Sequence, residues 1–183
     1  ALVDDDASMR ERVQQAVATA PDIELIGAFA DARSALAFLD AQAPDVLLVD
    51  LGLPDLPGLA VITYCAQRHP GTDIMVLTVF DDASNVLQSI KAGASGYLLK
   101  HGLHDEIVQP IRQLRAGGAP MTPSIARQLL AHVRPPTDAA AESAAPFPGF
   151  TLTPTEKTVL NLIARGFKYA EIARLNSVSV HTV

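Results

Sequence analysis

The sequence has few of the features that mark secreted or membrane proteins. It contains one cysteine, Cys65, so no internal disulfide can form, and this fits a reducing compartment. No run of about 18 apolar residues occurs, which argues against a transmembrane helix. The first residues lack the basic start and long apolar core of a signal peptide. We therefore expect a cytoplasmic protein without membrane contact, in which Cys65 is a small core residue.

Charge is distributed unevenly along the chain, whose formal net charge is −6. Acidic residues outnumber basic ones two to one over residues 1–120, whereas basic residues are in slight excess over residues 151–183. This asymmetry is compatible with nucleic-acid binding by the C-terminal part, although charge alone does not establish it.

Residues 1–117 alternate between short apolar runs, typical of strands buried on both faces, and amphipathic stretches typical of helices. The predicted strands are Ala1–Val3, Ile23–Phe29, Val46–Val49, Ile74–Val79 and Gly96–Leu99. The predicted helices are Ser8–Ala20, Ala32–Gln42, Leu59–His69, Ala83–Ala92 and Leu103–Ala116, the last kinked or shortened by Pro110. Parallel strands need crossover helices, so this order predicts a doubly wound five-stranded parallel α/β sheet with the flavodoxin-like strand order.

The remaining residues predict a linker and a small all-α domain. Residues 118–150 comprise a short helix, Pro123–Val133, and a segment rich in Pro, Ala, Ser and Gly. Residues 151–183 show the helix, helix, turn and helix-start pattern of a helix-turn-helix domain. We expect this domain to be truncated at the start of its recognition helix, because the sequence stops at Val183.

Acidic residues follow the first and third predicted strands. Asp4, Asp5 and Asp6 follow the first strand, and Asp50 follows the third. Taken singly, an aspartate after a strand is more often a helix cap or turn former. The fold, however, brings these strand ends together at one edge of the sheet. Crowded carboxylates favour a bound cation, and oxygen-only ligands favour Mg²⁺.

The fourth and fifth strands end in a hydroxyl and an amine, Thr78 and Lys100. A carboxylate beside Mg²⁺ can act as a nucleophile toward a phosphoryl group, whose oxygens then need a cation and a hydrogen-bond donor. These chemically complementary residues at four strand ends indicate a site for phosphoryl transfer.

The same residues carry a family resemblance. Leu2 to Asp5, Asp50 to Pro54 with Gly58, Leu77 with Thr78, and Gly93 to Lys100 resemble the motifs of a two-component receiver domain. Leu152 to Glu156, Glu171 to Ala173 and Ser179 to Val183 resemble the start of a LuxR/FixJ-type (NarL-like) helix-turn-helix. The resemblance implies a response regulator, a DNA-binding transcription regulator rather than an enzyme, with residues 1–117 as the receiver.

The resemblance also implies roles for individual residues. Asp50 would accept a phosphoryl group from a sensor histidine kinase. Asp5, Asp50 and the backbone carbonyl of Gly52 would ligate Mg²⁺, with Asp4 acting through a water molecule. Thr78 and Lys100 would bind the phosphoryl group, and Tyr97 would turn inward behind Thr78 as the switch residue.

For the C-terminal domain, the resemblance implies binding to promoter DNA, with a homodimer as a candidate active form. Lys168, His181 and Thr182 are the candidate DNA contacts. Lys168 has an equally good alternative role, which is to cap and solvate the second helix of this domain.

The chain departs from the receiver pattern in three respects, which involve four positions. Val79 stands where receivers have a small residue, and its branched side chain could obstruct phosphoryl entry. Gly52 and Phe80 flank the acceptor, and neither offers a group that orients water, so we expect slow self-dephosphorylation. Asp6 adds a third consecutive carboxylate, which we expect to face solvent.

Two alternative functions stay open from the sequence. Val79 favours an atypical receiver, controlled by a ligand or partner protein without phosphorylation. A Mg²⁺-dependent phosphohydrolase with an aspartate nucleophile would want a second acid two residues after it, where this chain has Gly52.

Overall fold

A computed structural model describes residues 1–102 and 106–133 of the chain. The chain divides into two units, Ala1–Arg134 and Pro135–Val183, and the described residues all belong to the first. The predicted linker and helix-turn-helix domain, with Lys168, His181 and Thr182, lie outside the described residues.

The first unit contains a five-stranded parallel sheet in the order β2-β1-β3-β4-β5. The strands are β1 Leu2–Val3, β2 Ala28–Phe29, β3 Val46–Val49, β4 Asp73–Thr78 and β5 Gly96–Leu99. The helices are α1 Ala7–Ala18, α2 Ala32–Ala41, α3 Gly58–Arg68, α4 Ala83–Ala92, α5 Val108–Arg115 and α6 Pro123–Val133. This arrangement confirms the predicted doubly wound fold and its flavodoxin-like strand order.

Alternate strand residues contribute side chains to two hydrophobic cores, one on each face of the sheet. Side chains of α1 and α5 pack with one set of strand residues, such as Leu48 and Leu77. Side chains of α2, α3 and α4 pack with the other set, such as Val49 and Val76. This second core contains Cys65, which is fully buried and unpaired, as expected for a small core residue. Burial on both faces explains why the strands appear in the sequence as unbroken apolar runs.

Four strand boundaries differ from the prediction, and in two of them the start of a strand moves by a single residue: β1 begins at Leu2 and β4 at Asp73. Only Ala28–Phe29 of the expected strand Ile23–Phe29 is extended in the sheet, because its partner β1 offers just two residues for pairing. Strand β4 ends at Thr78 rather than Val79, since its last pair is Thr78 with Leu99 and the next residue of that neighbour, Lys100, begins a 3₁₀ turn.

Helix α5 is shorter than the predicted Leu103–Ala116. It begins at Val108, which places Pro110 in the first turn. A proline in the first turn loses no intrahelical hydrogen bond. If the helix began several residues earlier, the ring of Pro110 would clash with the backbone carbonyl four residues before it. The sequence expectation that Pro110 shortens this helix is therefore correct.

The segment before α6 covers the edge of the sheet beside β5. The Tyr97 N–H donates to the Pro120 carbonyl at 2.9 Å, and the Thr122 N–H donates to the Tyr97 carbonyl at 3.1 Å. Ile125 of α6 is fully buried in the core that includes Tyr97. Helix α6 is thus packed onto the sheet unit.

Candidate functional site

The strand order places Asp4 and Asp50 next to each other. Strands β1 and β3 are neighbours with Val3 opposite Val49, and the Asp50 N–H donates to the Val3 carbonyl at 2.9 Å. Both aspartates therefore leave the sheet side by side at its carboxyl edge, where the strand order reverses. Asp4 is 0 % exposed and Asp50 is 5 % exposed.

Lys100 joins these two carboxylates. Its Nζ atom lies 2.6 Å from Asp50 Oδ2 and 2.9 Å from Asp4 Oδ1, and its side chain is 10 % exposed. Burial alone would lower the pKa of Lys100, but the hydrogen bonds that its ammonium donates to Asp50 and Asp4 outweigh burial and raise that pKa above its ordinary value. For Asp4 the balance is opposite: burial raises the pKa of its carboxyl group more than Lys100 lowers it.

A third carboxylate completes the cluster. Carboxylate oxygens of Asp4, Asp5 and Asp50 lie within 4.8 Å of one another, and Asp5 is exposed to solvent. The buried Asp4 Oδ2 accepts no hydrogen bond, although Lys100 Nζ lies 2.9 Å away. A set of hard oxygen ligands with an open side suits a divalent cation.

Asp6 does not belong to this cluster of three, which we call the acidic trio. It is exposed, as expected, and caps α1 by accepting the Ser8 N–H at 2.9 Å. Its own N–H donates to Asp4 Oδ1 at 3.0 Å, so the chain turns back on the buried carboxylate directly after the strand.

The loop after Asp50 passes close to the carboxylate of that residue. The Gly52 N–H donates to Asp50 Oδ1 at 3.2 Å. Gly58 begins α3 against the Asp50 backbone: a Cβ atom at this position would lie 2.0 Å from the Asp50 carbonyl oxygen. Only glycine therefore allows this approach.

Residues at the end of β4 form another side of the site. Thr78 is fully buried, and its Oγ1 atom accepts the Phe80 N–H at 3.5 Å. Val79 is 48 % exposed and Phe80 is 41 % exposed. The ring of Phe80 lies beside Gly52. A Cβ atom added to Gly52 would be 3.4 Å from Phe80 Cε2 and 3.8 Å from Asp50 Oδ2.

Tyr97 is directed inward in this structure. Its side chain is fully buried, and its hydroxyl donates to the Phe80 carbonyl at 2.8 Å. Burial raises the pKa of the phenol above its ordinary value, so the hydroxyl keeps its proton and remains a donor. The tyrosine thereby connects the loop after Thr78 with β5.

Sequence reasoning missed two residues that contact this site or its strands. Arg10 donates to the backbone carbonyls of Asp4 and Asp5. Thr122 Oγ1 accepts the Leu99 N–H at 3.0 Å, directly before Lys100. The available signal for Arg10 was a basic residue in the first turn of a helix, where the helix dipole disfavours a cation; Thr122 had no comparable signal.

Comparison with known proteins identifies the family. Residues 1–112 match the family described as the response regulator receiver domain. The chain belongs to the response regulators, in their LuxR class. All of this response regulator aligns with the uncharacterized transcriptional regulatory protein YhcZ of Bacillus subtilis, at 33% identity over 182 residues and 82% of that protein.

Two further comparisons support this assignment. The nitrate/nitrite response regulator protein NarL of Escherichia coli K12 is 30% identical over 186 residues, covering 100% of this chain and 82% of NarL. The crystal structure of a LuxR-family two-component response regulator from Aurantimonas sp. SI85-9A1 aligns with a TM-score of 0.66 and 30% identity, over 72% of this chain and 94% of that one. Among the described residues, no helix has the length and apolar character needed to cross a bilayer.

Proposed function

We propose that this response regulator controls transcription after phosphorylation of Asp50. The observation that carries the proposal is the Lys100 ammonium, 2.6 Å from the buried Asp50 carboxylate and beside two further carboxylates. A buried structural ion pair would not need the additional acidic charge of Asp5, which faces solvent and leaves the cluster with more negative than positive charge.

In the proposed reaction, an Asp50 carboxylate oxygen attacks the phosphorus of a phosphohistidine on a sensor kinase. A P–O bond forms as the P–N bond breaks, and the histidine nitrogen keeps the electron pair. Lys100 and the Thr78 hydroxyl then bind the phosphoryl oxygens, and Tyr97 follows Thr78 as the switch residue.

The metal proposed for the acidic trio is Mg²⁺, held by Asp5, Asp50 and the Gly52 carbonyl, with Asp4 acting through water. When bound, it supplies the positive charge that offsets the phosphoryl oxygens. The fit rests on the oxygen-only donor set, whose carboxylate oxygens converge to within 4.8 Å of one another.

The experiment that tests the acceptor is intact-mass spectrometry after incubation with Mg²⁺ and acetyl phosphate. Wild type should gain one phosphoryl group and Asp50→Asn none. Asp81→Asn is the matched control, because Asp81 is an exposed aspartate shortly after β4. Labelling of Asp50→Asn, or no labelling of wild type by acetyl phosphate or a phosphorylated kinase, would exclude Asp50 as the acceptor.

The output is proposed to be promoter binding through the complete helix-turn-helix domain that begins at residue 151, with residues 1–117 as the receiver and 118–150 as the connecting helix and linker. Support comes from the alignment of the whole chain with YhcZ, a relative named as a transcriptional regulatory protein. Action on promoter DNA implies a cytoplasmic location. Selection of genomic fragments by the phosphorylated and unphosphorylated protein tests DNA binding, and light scattering of both forms tests whether the active form is a homodimer.

A further inference from the structure

Arg10 bridges two consecutive carbonyls of the acidic segment. Its Nη1 atom donates to the Asp4 carbonyl at 2.7 Å and to the Asp5 carbonyl at 2.9 Å. The residue belongs to α1, and its own N–H donates to the Asp6 carbonyl at 3.1 Å. The side chain thus turns back from the helix toward the chain that enters it.

This position is electrostatically unusual for an arginine. The N-terminal turn of a helix carries partial positive charge, which disfavours a cation there. At the same terminus Asp6 caps the helix, which is the ordinary arrangement. The two charge-assisted hydrogen bonds from Arg10 offset this unfavourable placement, and they do so at the two residues that contribute carboxylates to the acidic trio.

The geometry of this bridge controls where both carboxylates lie. The peptide unit between Asp4 and Asp5 is planar, so fixing the carbonyls on either side of Asp5 restricts its backbone orientation. Asp4 must enter the interior beside Lys100, whereas Asp5 must stay at the solvent side of the same cluster. Hydrogen bonding to Arg10 also occupies carbonyl oxygens that would otherwise be available to a cation near the carboxylates.

We propose that Arg10 is a positioning residue for the acidic trio, holding the Asp4–Asp5 segment so that its carboxylates converge with Asp50 on a divalent cation. This inference rests on the proposed metal site and adds a residue that itself touches neither the cation nor the phosphoryl group.

The test is isothermal titration calorimetry, which measures the Mg²⁺ affinity of the full chain with Mg²⁺ as the only ligand. It compares wild type, Arg10→Gln and Arg10→Lys. Loss of a residue that orients metal ligands weakens metal binding by about tenfold or more, and we expect such a loss for Arg10→Gln. Arg127→Gln, an exposed charge removal on α6, should bind Mg²⁺ like wild type. In acetyl phosphate labelling, Arg10→Gln should need more Mg²⁺ for half-maximal rate and reach the wild-type extent at saturation.

A purely structural role for Arg10 would give a different result. It would lower the melting temperature and the labelled fraction without moving the half-saturating Mg²⁺ concentration, and that outcome overturns the proposal. Equal Mg²⁺ affinities for folded Arg10→Gln and wild type overturn it as well.

Arg10→Lys decides the case if Arg10→Gln does not fold. It keeps the charge but replaces the planar guanidinium, whose Nη1 donates both hydrogen bonds, with a freely rotating ammonium on a shorter stem, so we expect an intermediate Mg²⁺ affinity, about threefold weaker than wild type. Wild-type affinity would mean that charge alone matters and would overturn the positioning role. If wild type binds Mg²⁺ no better than Asp50→Asn, the proposed metal site itself fails, whatever the Arg10 variants do.

Discussion

The hydroxyl of Thr122 accepts the backbone N–H of Leu99 at 3.0 Å, one residue before the lysine that pairs with Asp50. The hydrogen bond joins the end of β5 to the residue that precedes α6. Together with the backbone hydrogen bonds of Tyr97 to Pro120 and Thr122, it ties the start of α6 to β5, whose last residue precedes Lys100. A displacement of β5 at the site would therefore be transmitted to the start of α6.

Replacing Thr122 with valine should loosen this connection. Valine keeps the branched shape but removes the acceptor, so the Leu99 N–H loses its partner, and we expect a loss of about 1 kcal/mol in the free energy of unfolding. Urea denaturation followed by circular dichroism measures this loss. Thr122→Ser, which keeps the hydroxyl, should stay close to wild type; equal stability of the valine and serine variants would contradict the assigned hydrogen bond.

Asp5→Asn should change stability in opposite directions with and without metal. The acidic trio carries three carboxylates against the single ammonium of Lys100, so removing the exposed charge relieves repulsion. In EDTA we expect the variant to be more stable than wild type by about 0.5 kcal/mol, a typical size for an exposed charge interaction. With Mg²⁺ in excess, wild type should gain more stability than the variant, because metal binding stabilises only the folded state.

The measurement is thermal unfolding in EDTA and across a Mg²⁺ titration. Asp31→Asn is a poor control because Asp31 caps α2, so Asp81→Asn is preferred. A Mg²⁺-dependent gain of the same size in Asp5→Asn and wild type would remove Asp5 from the metal site.

Gly58→Ala should disturb the acceptor without touching its side chain. The new methyl group would lie 2.0 Å from the Asp50 carbonyl oxygen and 2.8 Å from the Leu51 Cα, both backbone atoms that cannot turn aside. Overpacking of this kind typically costs about 1–3 kcal/mol, and we expect the upper end together with reduced labelling of Asp50. Chemical denaturation and intact-mass labelling test this, with Gly71→Ala as the control, because a Cβ at Gly71 meets nothing within 4 Å. Similar losses for both alanine variants would show that the loss does not come from the contact at Asp50.

The sequence was sufficient to predict most of this fold, for a specific physical reason. Strands such as Val46–Val49 and Gly96–Leu99 are covered on both faces, so each is an unbroken apolar run in the sequence. The predicted first and last residues of these two strands match the structure. Strand β2 was overestimated because an apolar run does not reveal how many residues its partner offers, and β1 offers two.

The acidic cluster could likewise be predicted because it depends only on strand ends. Once β1 and β3 are neighbours, Asp4 and Asp50 must lie close together. Arg10 could not be predicted in the same way, since its partners are backbone carbonyls, which look alike at every residue of the sequence. The Tyr97 hydroxyl bonding the Phe80 carbonyl was missed for the same reason.

Val79→Ala tests whether the side chain after Thr78 obstructs the phosphoryl donor. Val79 lies beyond the end of β4 and is 48 % exposed, so the substitution should change the free energy of unfolding by less than about 0.5 kcal/mol. If the branched side chain narrows the approach to Asp50, labelling by acetyl phosphate should become faster. Stopped time courses by mass spectrometry measure the rate, and a rate equal to wild type would mean that Val79 does not limit entry.

The lifetime of phosphorylated Asp50 should depend on Phe80. Its ring lies beside Gly52, near the acceptor carboxylate, and offers no hydrogen-bonding group to a water molecule approaching the phosphorus. We therefore expect slow hydrolysis in wild type. In Phe80→Gln an amide takes the place of the ring and can orient an attacking water, and such positioned polar groups contribute about a hundredfold or more when ideally placed. An exposed loop position will give less, so we expect acceleration by several-fold.

The decay is followed by mass spectrometry after acetyl phosphate is removed from the labelled protein. Phe80→Leu separates the loss of the ring from the gain of a polar group, because leucine replaces the ring with a smaller apolar side chain. Hydrolysis as fast in Phe80→Leu as in Phe80→Gln would mean that the ring acts by excluding water from Asp50, and unchanged lifetimes in both would mean that Phe80 has no part in protecting the phosphoryl group. The Tyr97 hydroxyl bonds the Phe80 carbonyl rather than its ring, so neither variant removes that hydrogen bond, and a change in lifetime can be assigned to the side chain at position 80.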